Sequence, residues 1–132
     1  MVEPIPEGLR GAANEAVFEH LSELSAHSDV TAALEDAVAP LGDVQIFCPD
    51  ASQYRYVAVA TQGVVFSFAA GMNTIGFRLS PEFTARAVAT GAAELPQAGP
   101  DWVSVTVFRD DWPAPDLRFW ACKAYLFARE QR

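Results

Sequence analysis

Basic residues are nearly missing from the first part of the chain. Residues 1–52 hold ten carboxylates and a single cation, Arg10, whereas residues 53–132 hold seven carboxylates and eight cations. Such an acidic half repels a phosphate backbone, which argues against a broad nucleic-acid surface. Long apolar runs are missing too. None approaches the ~18 residues of a membrane span, and residues 1–7 lack the basic and apolar regions of a secretory signal, so a cytosolic location is expected. Cysteine is scarce: Cys48 and Cys122 stand far apart, form no CxxC pair and have no histidine close in sequence. Buried, reduced thiols are the simplest reading, with a disulfide left open because sequence does not give their separation.

Recognisable catalytic signatures are also missing. The chain has no GxSxG elbow, Walker loop, HExxH or GxGxxG following a strand. The stretch from Gly71 to Gly76 runs into a strand and not a helix, so it presents no helix N-terminus to a phosphate. The two histidines, His20 and His27, can share a face with Glu23 between them, but a metal site needs three or four ligands with outer support. Neither a metal nor a cofactor is expected. Asp110 and Asp111 are adjacent and tend to point apart, a poor acid–base pair; Asp111 or Asp116 suits the cap of a last helix.

What is present is the composition of a folded protein. With 132 residues, 51% of them hydrophobic and 20% charged, the chain suits a single domain over 1–132 that needs no disulfide or metal staple. Residues 1–9 are proline-rich and read as a loose arm. Val17, Phe18, Leu21 and Leu24 mark the buried stripe of a helix over 12–25, with Glu15, Glu19 and Glu23 opposite. A second helix is expected from Ser28, its hydroxyl as cap, with Val30, Leu34, Ala37, Val38 and Leu41 inward and Pro40 and Gly42 ending it.

From Asp43 the period changes to two. Strands are expected over 44–48, 53–60, 64–69, 74–79 and 102–108, with turns at 49–52, 61–63 and 70–73. In the fourth, Ile75, Phe77 and Leu79 face helices, and Thr74, Gly76 and Arg78 a side at least partly wet. Gly76 marks a bulge or a close approach, most simply by an aromatic ring. Ser80-Pro81-Glu82 opens a helix with Phe83, Ala87 and Val88 inward and Gly91 as its stop. The last helix, over 115–130, carries two apolar stripes, one of Leu117, Trp120, Ala121, Ala124 and Ala128, the other of Phe119, Cys122 and Leu126. The expected class is therefore α+β: a mainly antiparallel five-stranded sheet, two N-terminal helices, one helix before the last strand and a C-terminal helix.

From about Gly63 onward the layout is similar to a known group. A hairpin leads into Phe77-Arg78-Leu79-Ser80-Pro81-Glu82, then to Gly99-Pro100-Asp101-Trp102-Val103, and ends in Leu117-Arg118-Phe119-Trp120 with Ala124-Tyr125. This resembles the small bacterial α+β domains of the YjbR and TfoX N-terminal type, and some luciferase-family fragments. The resemblance implies the fold class and, through it, a DNA-linked regulatory role. It carries over no functional residue, and the two acidic helices extend beyond it.

Three functional readings follow. The first is a non-enzymatic cytosolic interaction domain that binds a protein partner or itself as a homodimer. Its motives are the doubly apolar last helix, with Phe119 and Leu126 outward, the lopsided charge, and Trp112 in a rigid polar loop, where a large aromatic is either core or anchor. The second is a binding or enzymatic pocket on the sheet for a small anion or carboxylate. Arg55 and Arg78, on strands read as neighbours, would line it with Tyr56 and Trp102, given a register that brings them to one face. The third is the DNA-linked regulator implied by resemblance alone.

Overall fold

A computed structural model describes residues 4–22, 24–50, 55–108 and 116–130. The elements run α1 (Ala12–Leu21), α2 (Ser28–Val38), β1 (Gln45–Phe47), β2 (Val57–Thr61), β3 (Val64–Ala70), β4 (Thr74–Arg78), α3 (Pro81–Ala89), β5 (Ala93–Glu94), β6 (Trp102–Thr106) and α4 (Leu117–Glu130), with 3-10 turns at Glu7–Leu9 and Pro96–Ala98. The class is α+β. The sheet is antiparallel throughout but has six strands, in the order β1-β2-β3-β4-β6-β5. The extra strand is β5, two residues that pair with β6; two residues are too few for periodicity to reveal.

The β2–β3 hairpin turns on Gln62 (φ 51°) and Gly63 (φ 82°), the pair of left-handed residues that matches the twist of tightly joined strands. The register shifts between Val59 and Ala60, where Phe66 is the extra residue of a β3 bulge. Ser80 caps α3 by accepting from the Phe83 amide at 3.4 Å, with Pro81 as the first helical residue. Gly91, at φ 113°, closes the same helix, and the Ala92 amide returns to the Ala87 carbonyl at 3.0 Å. Asp116 caps α4 through the Phe119 amide at 3.1 Å. The cap of α2 is His27, whose Nδ1 accepts from the Asp29 amide at 3.1 Å; Ser28 is already helical.

Both faces of the sheet are covered. On one, Val57, Val59, Phe66, Ile75, Phe77, Val103, Val105 and Val107 pack against Val30, Leu34 and Val38 of α2 and Trp120, Ala121, Ala124 and Ala128 of α4. The three alanines let α4 lie close on the large β-sheet side chains, and each is fully buried. On the other face, Val17, Phe18 and Leu21 of α1, with Leu9 and Ala98, cover Phe47, Tyr56, Ala58, Val65, Phe68 and Trp102.

This second layer bears on two expectations. Helix α1 lies across the face of Gly76 and Arg78, which is wet only in part: Thr74 and Arg78 are half-buried and Thr106 is exposed. The N-terminal arm is not loose from Ile5 onward: Leu9 is buried and the Gly8 carbonyl oxygen lies only 2.9 Å from where a Cβ on Gly63 would be. Helix α1 also ends at Leu21, short of residue 25, because Ser25 and Ala26 are drawn into bridges with Arg55 and Gly71. In α3, Val88 is exposed and only Ala87 is buried.

Candidate functional site

The register separates the residues expected to share a pocket. Val57 lies opposite Ala69, and Ala69 opposite Ile75, so Arg55 is level with Asn73. Arg78 ends the same strand five residues further on. That is about 16 Å along the strand direction, with β3 between the two strands. The two arginines do not form one site. The error lay in taking their strands as neighbours.

The other expected lining residues are core. Tyr56 is buried between Phe18 and Phe47, each with its ring centroid 6.4 Å away. Burial pushes its hydroxyl pKa up from 10.0; nearby Cys48 adds to the rise and Arg55 opposes it. Trp102 is buried against Phe68, centroids 5.4 Å apart. Gly76 explains that contact. A Cβ there would fall 2.2 Å from the Phe68 ring, so the glycine exists to let the ring lie across β4. Close approach by an aromatic ring, the simpler of the expected reasons, is the one found.

Arg78 is brought together with Trp102, directly opposite it on β6. Its guanidinium is poorly satisfied. Among the described residues Nε is buried without a hydrogen-bond partner, and Nη1 reaches only the Ala13 carbonyl, at 3.5 Å. Burial lowers its pKa, and the negative charge of Asp101 opposes that shift.

The partner-binding candidates also divide. Phe119 packs edge-on against Phe83 of α3 at 6.2 Å and against Trp120 at 4.9 Å, with the Lys123 ammonium 5.5 Å from its ring. Helix α3 thus covers part of the second apolar side of α4. Leu126 remains 48% exposed. Trp112 lies outside the described residues, as do Asp110 and Asp111.

Three features escaped the sequence reading. Asn14 is buried in α1; its amide donates to the Leu9 carbonyl at 2.9 Å and the Gly63 carbonyl at 2.8 Å, while Oδ1 accepts from the Val65 amide at 2.9 Å. It ties the arm, the first helix and the hairpin together. A poor helix former inside the first turn was the only hint. A second polar cluster joins α4 to the start of the sheet. Tyr125 donates to the Gly42 carbonyl at 2.6 Å, and Arg129 Nη1 donates to the Tyr125 and Thr61 hydroxyls, both at 3.1 Å, and pairs with Asp43 at 3.4 Å.

The third feature is at the surface. Met72 and Phe108, 68% and 62% exposed, are the most exposed large apolar side chains among the described residues. They stand at the same end of the sheet, because the Val107 amide donates to the Asn73 carbonyl at 2.8 Å. Phe108 also holds a left-handed backbone, φ 62°. Among the described residues no group of three or more His, Cys, Asp or Glu is placed to hold a metal ion, and no helix is long and apolar enough to cross a membrane.

No protein-family model matches the chain, nor does any curated protein or solved structure. The functional reading therefore rests on the geometry just described.

Proposed function

We propose that the protein is a non-enzymatic cytosolic interaction domain, and that it associates with a second copy of itself through the end of the sheet that carries Met72 and Phe108. The observation that carries the reading is the exposure of these two side chains at the same end of the sheet. Neither position is favourable in an isolated chain. Phe108 gives up on the order of 1–2 kcal/mol to its left-handed backbone and leaves its ring in water. A covering surface offsets the exposed apolar area, and flexible methionines and aromatic rings are common anchors of such contacts. The residues that follow Phe108 include Trp112, the aromatic that the sequence offers as an anchor.

Sedimentation equilibrium of the wild type and of Met72→Asp/Phe108→Asp tests it. The expected outcome is a dimer mass for the wild type and a monomer mass for the variant, with unchanged far-UV circular dichroism. A wild type that stays monomeric to on the order of 1 mM, where even weak association registers, refutes self-association.

A second reading has its own observation. Arg78 is a partly buried cation without an ion-pair partner among the described residues, and such groups ordinarily carry one. It supports a small-anion site that uses Arg78 without Arg55. The check is a melting shift with inorganic phosphate or citrate that is absent from Arg78→Met; an equal shift in both proteins sinks the idea.

A further inference from the structure

Helix α1 is electrostatically ill-fitted to stand alone. Glu15 and Glu19 are both exposed, lie one turn apart on the same flank, and have no ion-pair partner among the described residues. Like charges at that spacing destabilise a helix. Glu19 also sits in the last turn, where the helix dipole disfavours an anion. The nearby cation, Arg10, forms no ion pair with either, and its Nε donates to the Ile5 carbonyl at 2.7 Å.

The same flank forms one wall of an open cleft of about 620 Å³ between α1 and the N-terminal segment. Ile5, Leu9 and Phe18 are its apolar lining, Glu15 and Glu19 its acidic lining, and Arg10 is the one cation among them. Symmetric docking of two copies through this surface would bring acid against acid. The cation-rich surface of the chain lies elsewhere, on α3 and α4, with Arg86, Arg118, Lys123 and Arg129.

We infer that this cleft is a second docking surface, distinct from the Met72–Phe108 end, and that it takes a cationic segment of a partner protein: two Lys or Arg residues flanking an aliphatic side chain. The cations meet Glu15 and Glu19 and the aliphatic group enters beside Ile5 and Phe18. The spacing agrees with an extended segment. Side chains two residues apart on a strand are about 6.6 Å apart, close to the ~5–6 Å between residues one turn apart on a helix. The inference rests on reading the chain as an interaction domain.

The test is an amide chemical-shift titration of the full chain with an eight-residue peptide of alternating lysine and leucine. Three control peptides go alongside, with lysine replaced by glutamine, lysine replaced by glutamate, and leucine replaced by glycine. The expected result is a set of shifts confined to residues 5–19 that weakens at least tenfold in Glu15→Gln/Glu19→Gln and at high salt. Glu15→Lys/Glu19→Lys should transfer binding to the glutamate peptide. Equal binding of the glutamine peptide would leave a docking cleft but overturn the cationic partner. Equal binding of the lysine–glycine peptide would overturn the role of the apolar side. An absence of shifts along α1 overturns the inference altogether while leaving the Met72–Phe108 reading, which is judged by mass, untouched. A wild-type oligomer that dissociates on Glu15→Lys/Glu19→Lys and not on Met72→Asp/Phe108→Asp would make the occupant a second copy and overturn both assignments.

Discussion

Replacing Asn14 tests whether the α1 layer is locked to the sheet by one side chain. The residue is 1% exposed and uses three hydrogen-bonding positions on partners from two other parts of the chain: Leu9 in the N-terminal segment, and Gly63 and Val65 in the hairpin. In Asn14→Ala the Val65 amide is left buried without an acceptor, a loss of ~1–3 kcal/mol, and two carbonyls lose donors at roughly 0.5–1.5 kcal/mol each, partly recovered by water in the new space. We expect about 3 kcal/mol in all, a large part of the ~5–15 kcal/mol that holds such a protein together. With an m-value near ~1.5 kcal/mol/M, the urea midpoint should fall by about 2 M. Asn14→Asp is the sharper perturbation. It keeps the acceptor for Val65 but turns a carboxylate oxygen toward the Leu9 and Gly63 carbonyls. Burial and facing acceptors raise the folded-state pKa above the unfolded value of about 3.9. The folded form then holds a proton that the unfolded form has released, so stability falls as pH rises. Asn14→Asp should be nearest the wild type below pH ~4 and lose ground steadily toward pH 7, whereas Asn14→Ala should keep a constant offset. Urea midpoints at several pH values measure both. An offset under ~0.5 kcal/mol for Asn14→Ala, the range of ordinary surface changes, or a flat pH profile for Asn14→Asp, would refute the clamp.

Gly76→Ala should destabilise by ~1–3 kcal/mol through overpacking against Phe68, and Phe68→Leu in that background should recover part of the loss; a neutral Gly76→Ala in thermal melts would contradict the ring's placement. Tyr125→Phe should lose about 1 kcal/mol with the Gly42 and Arg129 hydrogen bonds, and a double-mutant cycle with Arg129→Met should show coupling between them; additive losses would mean that the pair acts independently. Burial raises the Tyr56 pKa above 10.0, so the folded form keeps its phenol proton where the unfolded form ionises. The stability this group supplies is whole below pH 10 and is lost as pH climbs through the raised value. Tyr56→Phe should therefore flatten the decline of the melting temperature above pH 10, and an unchanged slope would argue against a buried hydroxyl.

The fold was readable wherever one strand decided its own pattern. Ile75, Phe77 and Leu79, like Val103, Val105 and Val107, alternate so regularly that their common face follows from spacing, and all six lie in the α2–α4 core. The opposite face was harder because its cover is decided by several strands at once. Thr74, Gly76 and Arg78 read as an at least partly wet side, yet Ala58, Val65, Phe68 and Trp102 on the same face need a lid, and α1 provides it. The candidate site failed at a level that periodicity does not reach. Whether Arg55 meets Arg78 depends on strand order and register, set by the Gln62-Gly63 turn, the β3 bulge and the interposition of β3 itself. Asn14 is the same case, since its partners on the hairpin lie 49 and 51 residues away.

Misfit to the fold is itself a guide to function, because a residue the structure gains nothing from has to be retained for another reason or be neutral. Leu21 and Ala124 are accounted for by burial, Ser80 and Asp116 by caps, and Gly76 by a ring. Glu19 has no such account: it repels Glu15, opposes the dipole of α1 and pairs with no cation among the described residues. Glu19→Lys should therefore stabilise the isolated protein by ~0.5 kcal/mol at low ionic strength, from removal of the like-charge pair and a favourable charge at the helix end, with the gain shrinking as salt screens it. The same substitution should weaken capture of the lysine–leucine peptide. Opposite signs in the two assays would mark Glu19 as kept for binding. A loss of stability would mean that α1 already contains a partner for this carboxylate and that the electrostatic argument for the cleft is wrong.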